Sequence, residues 1–429
     1  MGGFGLGQIH KRAYRWGSWL GIFLWLGVLG FGVTGCTLPQ VSAEERLFLD
    51  LSVKAVDHGV LPMDEFEGTQ VGGLSAIAYD RNRSRFYALC DDRQRPRFYT
   101  LSLDLSPTGI NDMTVTAVTD LTDSDGGPIA PLDAEGMVLT PSNSLIVSSE
   151  GSPRQQIPPK LQEFDLATGR LKTDFRVPDR YLFGPAEGTT SDGQTQGIQE
   201  NIGFEALTIS APAGSYEPFR LFVATEGPLY QDLDIDPDIP FKNRWLHYLI
   251  DPNQYTLLSE HVYTMDAAPL GAVVNGLSEI LSIDVGGHFL AIERAFGLQG
   301  TSIKLYQVAT GVATDVGAIA TLQGDISGIT PIRKQLVSDL TPLKPDNLEA
   351  MTLGPKLKNG SQSLIMVSDN NFDTRQETQI WLFELSGVKH HLILPRKNEV
   401  YCVLSELLSG DNPEAACPRA FPSFFCRRI

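Results

Sequence analysis

A short pattern recurs five times along this chain and constrains its fold more than any other feature. The copies are Gly72-Gly73-Leu74-Ser75-Ala76-Ile77, Asp133-Ala134-Glu135-Gly136-Met137, Gly203-Phe204-Glu205-Ala206-Leu207, Gly276-Leu277-Ser278-Glu279-Ile280 and Asn347-Leu348-Glu349-Ala350-Met351. Aligned on Leu74, Ala134, Phe204, Leu277 and Leu348, they lie 60, 70, 73 and 71 residues apart. Each is followed by a second apolar stretch that ends in an acid, over residues 86–91, 145–150, 221–226, 289–293 and 364–369. Four of these five are preceded by a short connection containing Gly, Pro or Asn, and the first by 80–84, which is hairpin chemistry. A third strand-like stretch follows at 97–104, 160–165, 245–250, 302–308 and 379–385, and a fourth in several copies, as at 114–121 and 257–265.

Four short antiparallel strands per repeat describe a propeller blade, and a blade cannot bury both its faces unless it stacks with others around an axis. The fold class expected is therefore all-β, a β-propeller of about five four-stranded blades. The last copy lacks a clear fourth strand, and the alternating stretch 46–56 can supply it, closing the ring with strands from both ends of the chain. Residues 312–340 are long enough to leave a sixth, degenerate blade open. A string of separate β-domains is the competing reading; the shared repeat and the lack of long linkers argue against it.

Hairpin geometry places chemistry. The start of a first strand and the end of a second are neighbours in an antiparallel pair. In a propeller the first strand lies innermost, so acids at both places share one channel mouth. The first group is Glu135, Glu205 and Glu349, with Ser75 and Ser278 at the equivalent positions and Glu279 one residue on. The second is Asp91, Glu150, Glu226, Glu293 and Asp369, with Asp92 beside the first and Arg294 after the fourth. Roughly eight carboxylates at one mouth must either take up protons or be neutralised by cations. Calcium, which accepts about six to eight oxygen ligands in flexible geometry, suits that environment. Zinc does not, because the seven histidines form no H-x-H or H-E-x-x-H pattern, and His288 reads as a structural histidine. Arg154, Arg244, Arg294 and Arg375 are candidate cationic partners. An acid that recurs in every repeat can also simply close its blade by accepting backbone N–H groups.

The N-terminus reads as an export signal. Lys11, Arg12 and Arg15 precede an uncharged, mostly apolar run over 16–33 that ends in Val33-Thr34-Gly35-Cys36. An apolar-small-small triplet before a cysteine resembles a bacterial lipobox, in which Cys36 would carry the lipid anchor to a membrane. A plain secretory signal and a retained anchor are the alternatives, since the run is near the minimum length for a span. Removing residues 1–35 takes the net charge from −17 to −20, a surface that repels nucleic acid and anionic headgroups. If Cys36 is lipidated, Cys90, Cys402, Cys417 and Cys426 remain; the last three crowd a short tail, where one pair is expected to bridge. The organisation expected is a signal peptide over 1–35, a linker over 36–45, the propeller over 46–388 and a cysteine-containing tail over 389–429.

Three motifs point to a family. Gly203-Phe204-Glu205-Ala206-Leu207, Glu293-Arg294-Ala295-Phe296 and Leu364-Ile365-Met366-Val367-Ser368-Asp369-Asn370-Asn371-Phe372 resemble segments of bacterial proteins called phytase-like, or "esterase-like activity of phytase". The resemblance covers roughly residues 70–386. It implies a propeller, a setting outside the cytoplasm, and hydrolysis of phosphoesters or esters. By analogy with β-propeller phytases it implies calcium ions that hold phosphate and activate water. A serine route is disfavoured: no G-x-S-x-G elbow occurs, and Ser75 and Ser278 sit at repeat positions. The assignment expected is Glu293, Arg294 and Glu226 in catalysis, and Arg294, Arg375 and Lys344 on an anionic or ester substrate. Glu205, Glu226, Glu349, Asp369, Glu150 and Asp91 would hold the metal. No Lys or Arg recurs once per blade to clamp phosphate, so a propeller that only binds a ligand or a partner protein is the alternative. Anchoring has its own test: Cys36→Ser should move the protein from the membrane fraction to the soluble one, and unchanged fractionation would reject the lipid anchor.

Overall fold

The computed structural model describes Gly2 and residues 47–129, 131–184, 194–210, 218–236, 238–252 and 254–388. Cys36, Cys402, Cys417 and Cys426, and with them the lipobox and the expected tail bridge, lie outside the described residues.

The strands, in chain order, build five four-stranded blades. β1 (Ser52–Leu61) is followed by a small hairpin, β2 (Glu65–Phe66) and β3 (Thr69–Gln70). Blade 1 is β4 (Leu74–Asp80), β5 (Arg85–Cys90), β6 (Arg97–Ser106) and β7 (Gly109–Asp120). Blade 2 is β8 (Ala134–Leu139), β9 (Ser144–Ser149), β10 (Lys160–Asp165) and β11 (Leu171–Phe175). Blade 3 is β12 (Phe204–Ser210), β13 (Phe219–Thr225), β14 (Lys242–Asp251) and β15 (Gln254–Thr264). Blade 4 is β16 (Ala272–Ser282), β17 (His288–Gly297), β18 (Gly300–Ala309) and β19 (Arg333–Asp339). Blade 5 is β20 (Asn347–Lys356), β21 (Gln362–Asp369) and β22 (Thr378–Ser386), completed by β1.

The core is divided among the seams between blades. Val138, Ile146 and Leu161 of blade 2 pack on Leu207, Leu221 and Val223 of blade 3, and comparable clusters fill the other four seams. Second strands are therefore buried on both faces, which is why they read as continuous apolar runs rather than alternating ones; all eight residues of β21 are buried. Cys90 belongs to this core. Its thiol lies 3.2 Å from the Gly72 carbonyl, burial pushes its pKa up to about 12, and it is unpaired.

The ring is closed as expected, with the strand in a later place. β1 runs antiparallel to β22 from Ser52↔Ser386 to Leu61↔Thr378, with a bulge at Val56. No sixth blade exists among the described residues. The segment 312–340 instead folds its end into β19 and lays the rest along β15 of blade 3. There Val316 N–H donates to the Glu260 carbonyl at 2.7 Å and Ile332 N–H to the Val262 carbonyl at 2.8 Å. Val316 and Leu322 cover Val262 in a small core of their own. This loop shields the outer edge of blade 3, a common protection of an exposed strand. No helix among the described residues is long and apolar enough to cross a membrane.

Because β1 supplies the whole outer edge of blade 5, a chain begun after Leu61 should leave β22 unpaired. Such a protein should lose its single cooperative thermal transition and self-associate through the open edge; a sharp, monomeric transition would show that closure does not depend on β1.

Candidate functional site

One backbone irregularity recurs in every blade. The register between first and second strands slips by one residue between Leu74 and Ala76, Ala134 and Met137, Phe204 and Ala206, Leu277 and Glu279, and Leu348 and Ala350. These are β-bulges, which leave an extra residue unpaired and re-aim its side chain. The extra residue is Ser75, Glu205, Ser278 or Glu349, and in blade 2 Glu135 with Gly136. Where it is a glutamate, its carboxylate turns into a cavity of about 610 Å³ at the channel mouth. Where it is serine, it ties blades together: the Ser75 hydroxyl donates to the Ala134 carbonyl at 2.9 Å and that of Ser278 to the Leu348 carbonyl at 3.4 Å. Those serines are seam residues, not nucleophiles.

A second ring lies opposite the residue that precedes each bulge. Asp91, Glu150 and Glu226 donate backbone N–H groups to the carbonyls of Gly73, Asp133 and Gly203 at 2.8–2.9 Å, and Arg294 and Asp369 pair with Gly276 and Asn347. All five side chains line the cavity. Glycine at Gly203 and Gly276 is required there, since a Cβ would overlap the side chains of Glu150 and Glu226 from the preceding blade. Glu150 also accepts the Gly203 N–H at 2.9 Å.

Blade 4 breaks the pattern by one residue. Arg294, not Glu293, holds the ring position. Successive strand residues face opposite ways, so Glu293 points off the cavity. It accepts from the Tyr263 hydroxyl at 2.8 Å and the Asp266 N–H at 3.0 Å, and it pairs with Lys334. Arg294 is buried between Glu226, 3.1 Å away, and Glu349. Burial works against its charge, yet the carboxylates of Glu349, Glu226 and Glu205 hold its pKa above the usual arginine range.

The other expected residues divide in the same way. Asp91, Glu135, Glu150, Glu205, Glu226, Glu349 and Asp369 all meet at the cavity. Arg375 is solvent-exposed on Asp373, Lys344 is exposed with a φ of 54°, Arg154 is exposed, and Arg244 is fully buried between Asp232 and Glu260 at the far side of blade 3. None of the four lines the cavity. His288 packs its Nδ1 2.7 Å from Asp284 Oδ2, a structural arrangement. Glu279 takes the repeat position that Ala76, Gly136, Ala206 and Ala350 hold in the other blades. Its carboxylate accepts the Ile280 N–H at 2.8 Å and draws on Leu207 and Met351 of the flanking blades.

Two cavity residues escape a reading of the sequence. Asp133 occupies the place of Gly73 and Gly203, and Arg93 forms a two-pronged pair with it, one contact at 2.6 Å. Asp133 carries a signal as the one acid at that repeat position; Arg93 sits in a connection that does not repeat. Arg95 and Arg97 also line the cavity but are engaged by Asp120 and Asp92.

Apart from Asp92, which also lines the cavity and is paired with Arg97, eight carboxylates thus face two arginines, Arg93 and Arg294. Burial pushes Asp91 up to about 7, helped by Glu349 and Asp133. It raises Glu135, Glu150, Glu205 and Asp369 well above the ordinary carboxylate range, reinforced by their neighbours' charge. Glu226 is raised by burial despite Arg294, and Asp133 despite Arg93. Within this crowd Asp133, Glu135 and Glu150, and again Glu150, Glu205 and Glu226, bring oxygens within 4.8 Å of one another. Asp91 Oδ1 is buried without a hydrogen-bond partner.

Fold and site together define a five-bladed propeller with an acidic axial cavity able to hold a metal ion. Residues 69–372 match the phytase-like family, described by its "esterase-like activity of phytase". The chain belongs to that family. A search of curated proteins found no match. Among solved structures, an endo-arabinase from Bacteroides thetaiotaomicron is similar at 11% identity and a TM-score of 0.38, over 72% of this chain and 93% of that one. The Dos1 propeller is similar at 10% identity and a TM-score of 0.32, over 74% and 69%. A putative 6-phosphogluconolactonase from Bacteroides uniformis is similar at 13% identity and a TM-score of 0.30, over 70% and 79%.

The raised carboxylates set a pH dependence. An acid whose pKa is higher folded than unfolded binds more protons in the folded state, so stability is lost as pH rises from its unfolded value through its folded one. For Asp91 that window runs from 3.8 to about 7. The chelator-treated protein should therefore melt at progressively lower temperature between about pH 4 and pH 7, and excess calcium should flatten that slope. A melting temperature that rises with pH over this range in chelator would contradict the arrangement.

Proposed function

We propose that this protein is an exported hydrolase of phosphoesters or esters that works with a divalent cation, calcium, at the axial cavity, and that it is held to a membrane by lipid on Cys36. The observation that carries the reading is the pair of carboxylate triads sharing Glu150. Their donors are all oxygen, which suits a hard cation with several oxygen ligands, and they bear an excess of negative charge that two arginines do not offset. The Asp91 oxygen that lacks a hydrogen-bond partner adds to that excess of negative charge.

Glu150, Glu205 and Glu226 would hold the ion, with Asp133, Glu135, Glu349 and Asp369 as further ligands. Bound there, the cation would polarise the ester and lower the pKa of a coordinated water. The chain's own groups do the rest. Arg294, fixed between Glu226 and Glu349, offers a rigid guanidinium to an anionic oxygen. Asp91, whose Oδ1 is buried without a hydrogen-bond partner, would accept the proton of the attacking water and return it to the leaving oxygen. Arg93 holds Asp133 in place. Arg375 and Lys344 have no part in this scheme, nor does Glu293, whose carboxylate is committed to Lys334 and Tyr263.

Purified protein assayed with phytate, simple phosphomonoesters and p-nitrophenyl esters should turn over at least one class with calcium and lose activity with chelator. Glu150→Gln and Glu226→Gln should each lower kcat about 100-fold or more and remove the calcium-induced rise in melting temperature. Turnover indifferent to chelator, or no turnover together with no effect of calcium on melting, would overturn the reading.

A further inference from the structure

Blade 4 extends its first hairpin past the cavity and presents an apolar surface there. β16 and β17 continue beyond the Gly276↔Arg294 pair through Asn275↔Ala295 and Val274↔Phe296 to Ala272↔Gly297. The two faces of this extension differ. On one, Ala295 is 5% exposed, and the Asn275 side-chain amide reaches the Asp266 carbonyl. This is the face of Glu293, packed on the end of blade 3. On the other, residues at even positions follow Arg294, because side chains alternate along a strand and paired residues share a face. Phe296 is 54% exposed, Val274 36% and, just past the strand, Leu298 91%.

Five of the fourteen exposed large apolar side chains among the described residues sit here, Leu270 and Val273 being the other two, so the exposure is concentrated rather than scattered. Residues 267–278 and 295–303 contain no charged side chain, in a chain of net charge −17. At about 3.3 Å per residue, Phe296 lies about 7 Å along the strand from Arg294, and Leu298 follows in the turn to β18, where its N–H donates to the Gly271 carbonyl at 3.1 Å. An uncharged apolar strip thus leads directly out of a polar, cation-binding cavity.

We infer that the substrate is an anionic amphiphile: its phosphate-ester head enters the cavity, and its alkyl chain lies along Val274 and Phe296 toward Leu298 in the turn beyond. This rests on the hydrolase reading for the head and adds the class of the tail. Contiguous exposed apolar surface marks a binding site, and its continuity with the cavity on one strand face selects a ligand that uses both. A polyanionic sugar or inositol phosphate would leave the strip bare.

The test uses the full chain with calcium and straight-chain alkyl phosphates from ethyl to decyl, kept below their micellar concentrations. Binding is measured by calorimetry and turnover by phosphate release. Affinity should rise about twofold to fourfold per methylene until the strip is covered. In Phe296→Ser/Leu298→Ser the decyl-to-ethyl ratio should collapse toward one, while Phe296→Leu should keep most of it. Chain-length dependence in binding with no turnover of any substrate would retain this inference and remove the hydrolase reading. Turnover with no chain-length dependence would do the reverse. If the double variant leaves that dependence intact, and instead dissociates a dimer in sedimentation or abolishes binding to anionic vesicles, the strip is a self-association or membrane surface and the inference fails.

Discussion

A single extra residue at the start of each inner strand sets the chemistry of this molecule. Without the bulge, the residue after Leu74, Ala134, Phe204, Leu277 or Leu348 would turn away from the axis with the ordinary alternation of a strand. With it, three glutamates point at one another across the channel and two serines stitch adjacent blades. The hairpin ladder then brings Asp91, Glu150, Glu226 and Asp369 to the same level. The fold concentrates like charge at its own centre, where burial makes that charge most costly, and only protons, Arg93, Arg294 or a cation can offset it.

That concentration is bearable because the apolar interior is elsewhere. Each seam between blades has its own packed core, and no core crosses the axis. The axis can therefore be given to polar side chains without emptying a hydrophobic centre. Glu279 shows how local the arrangement is. Its carboxylate stands where the other four blades have a small residue and accepts backbone N–H groups from three blades, so it ties those blades together.

Repetition made most of this legible in the sequence. Fold class, strand order within a blade, ring closure and seven of the eight cavity carboxylates other than Asp92 follow from aligning five short segments and knowing that hairpin ends are neighbours, whereas the length of 312–340 left a sixth blade open. What was not legible was parity. Glu293 and Arg294 are adjacent, and only the ladder Gly276↔Arg294 tells which of them faces the axis. Aligning the second strands on their terminal acid pairs Glu293 with Asp369, whereas aligning them on the partner strand pairs Arg294 with it. Arg375, Lys344 and Arg154 looked suitable by charge alone, but each lies in a connection whose path no repeat determines. Arg244 looked suitable for the same reason and is consumed by Asp232 and Glu260. The stretch 312–340 has the length of a blade without its pattern, and it became an edge cover.

The register of ring closure has a mechanical side. Ser52 pairs with Ser386, so the ends of β1 and β22 that lead toward the two chain termini lie at the same end of the sheet. Tension applied between them would load one backbone pair at a time, peeling the ladder open like a zipper instead of shearing all its hydrogen bonds together. A ring closed in this register is thus open to being unlatched by a pull on its two ends.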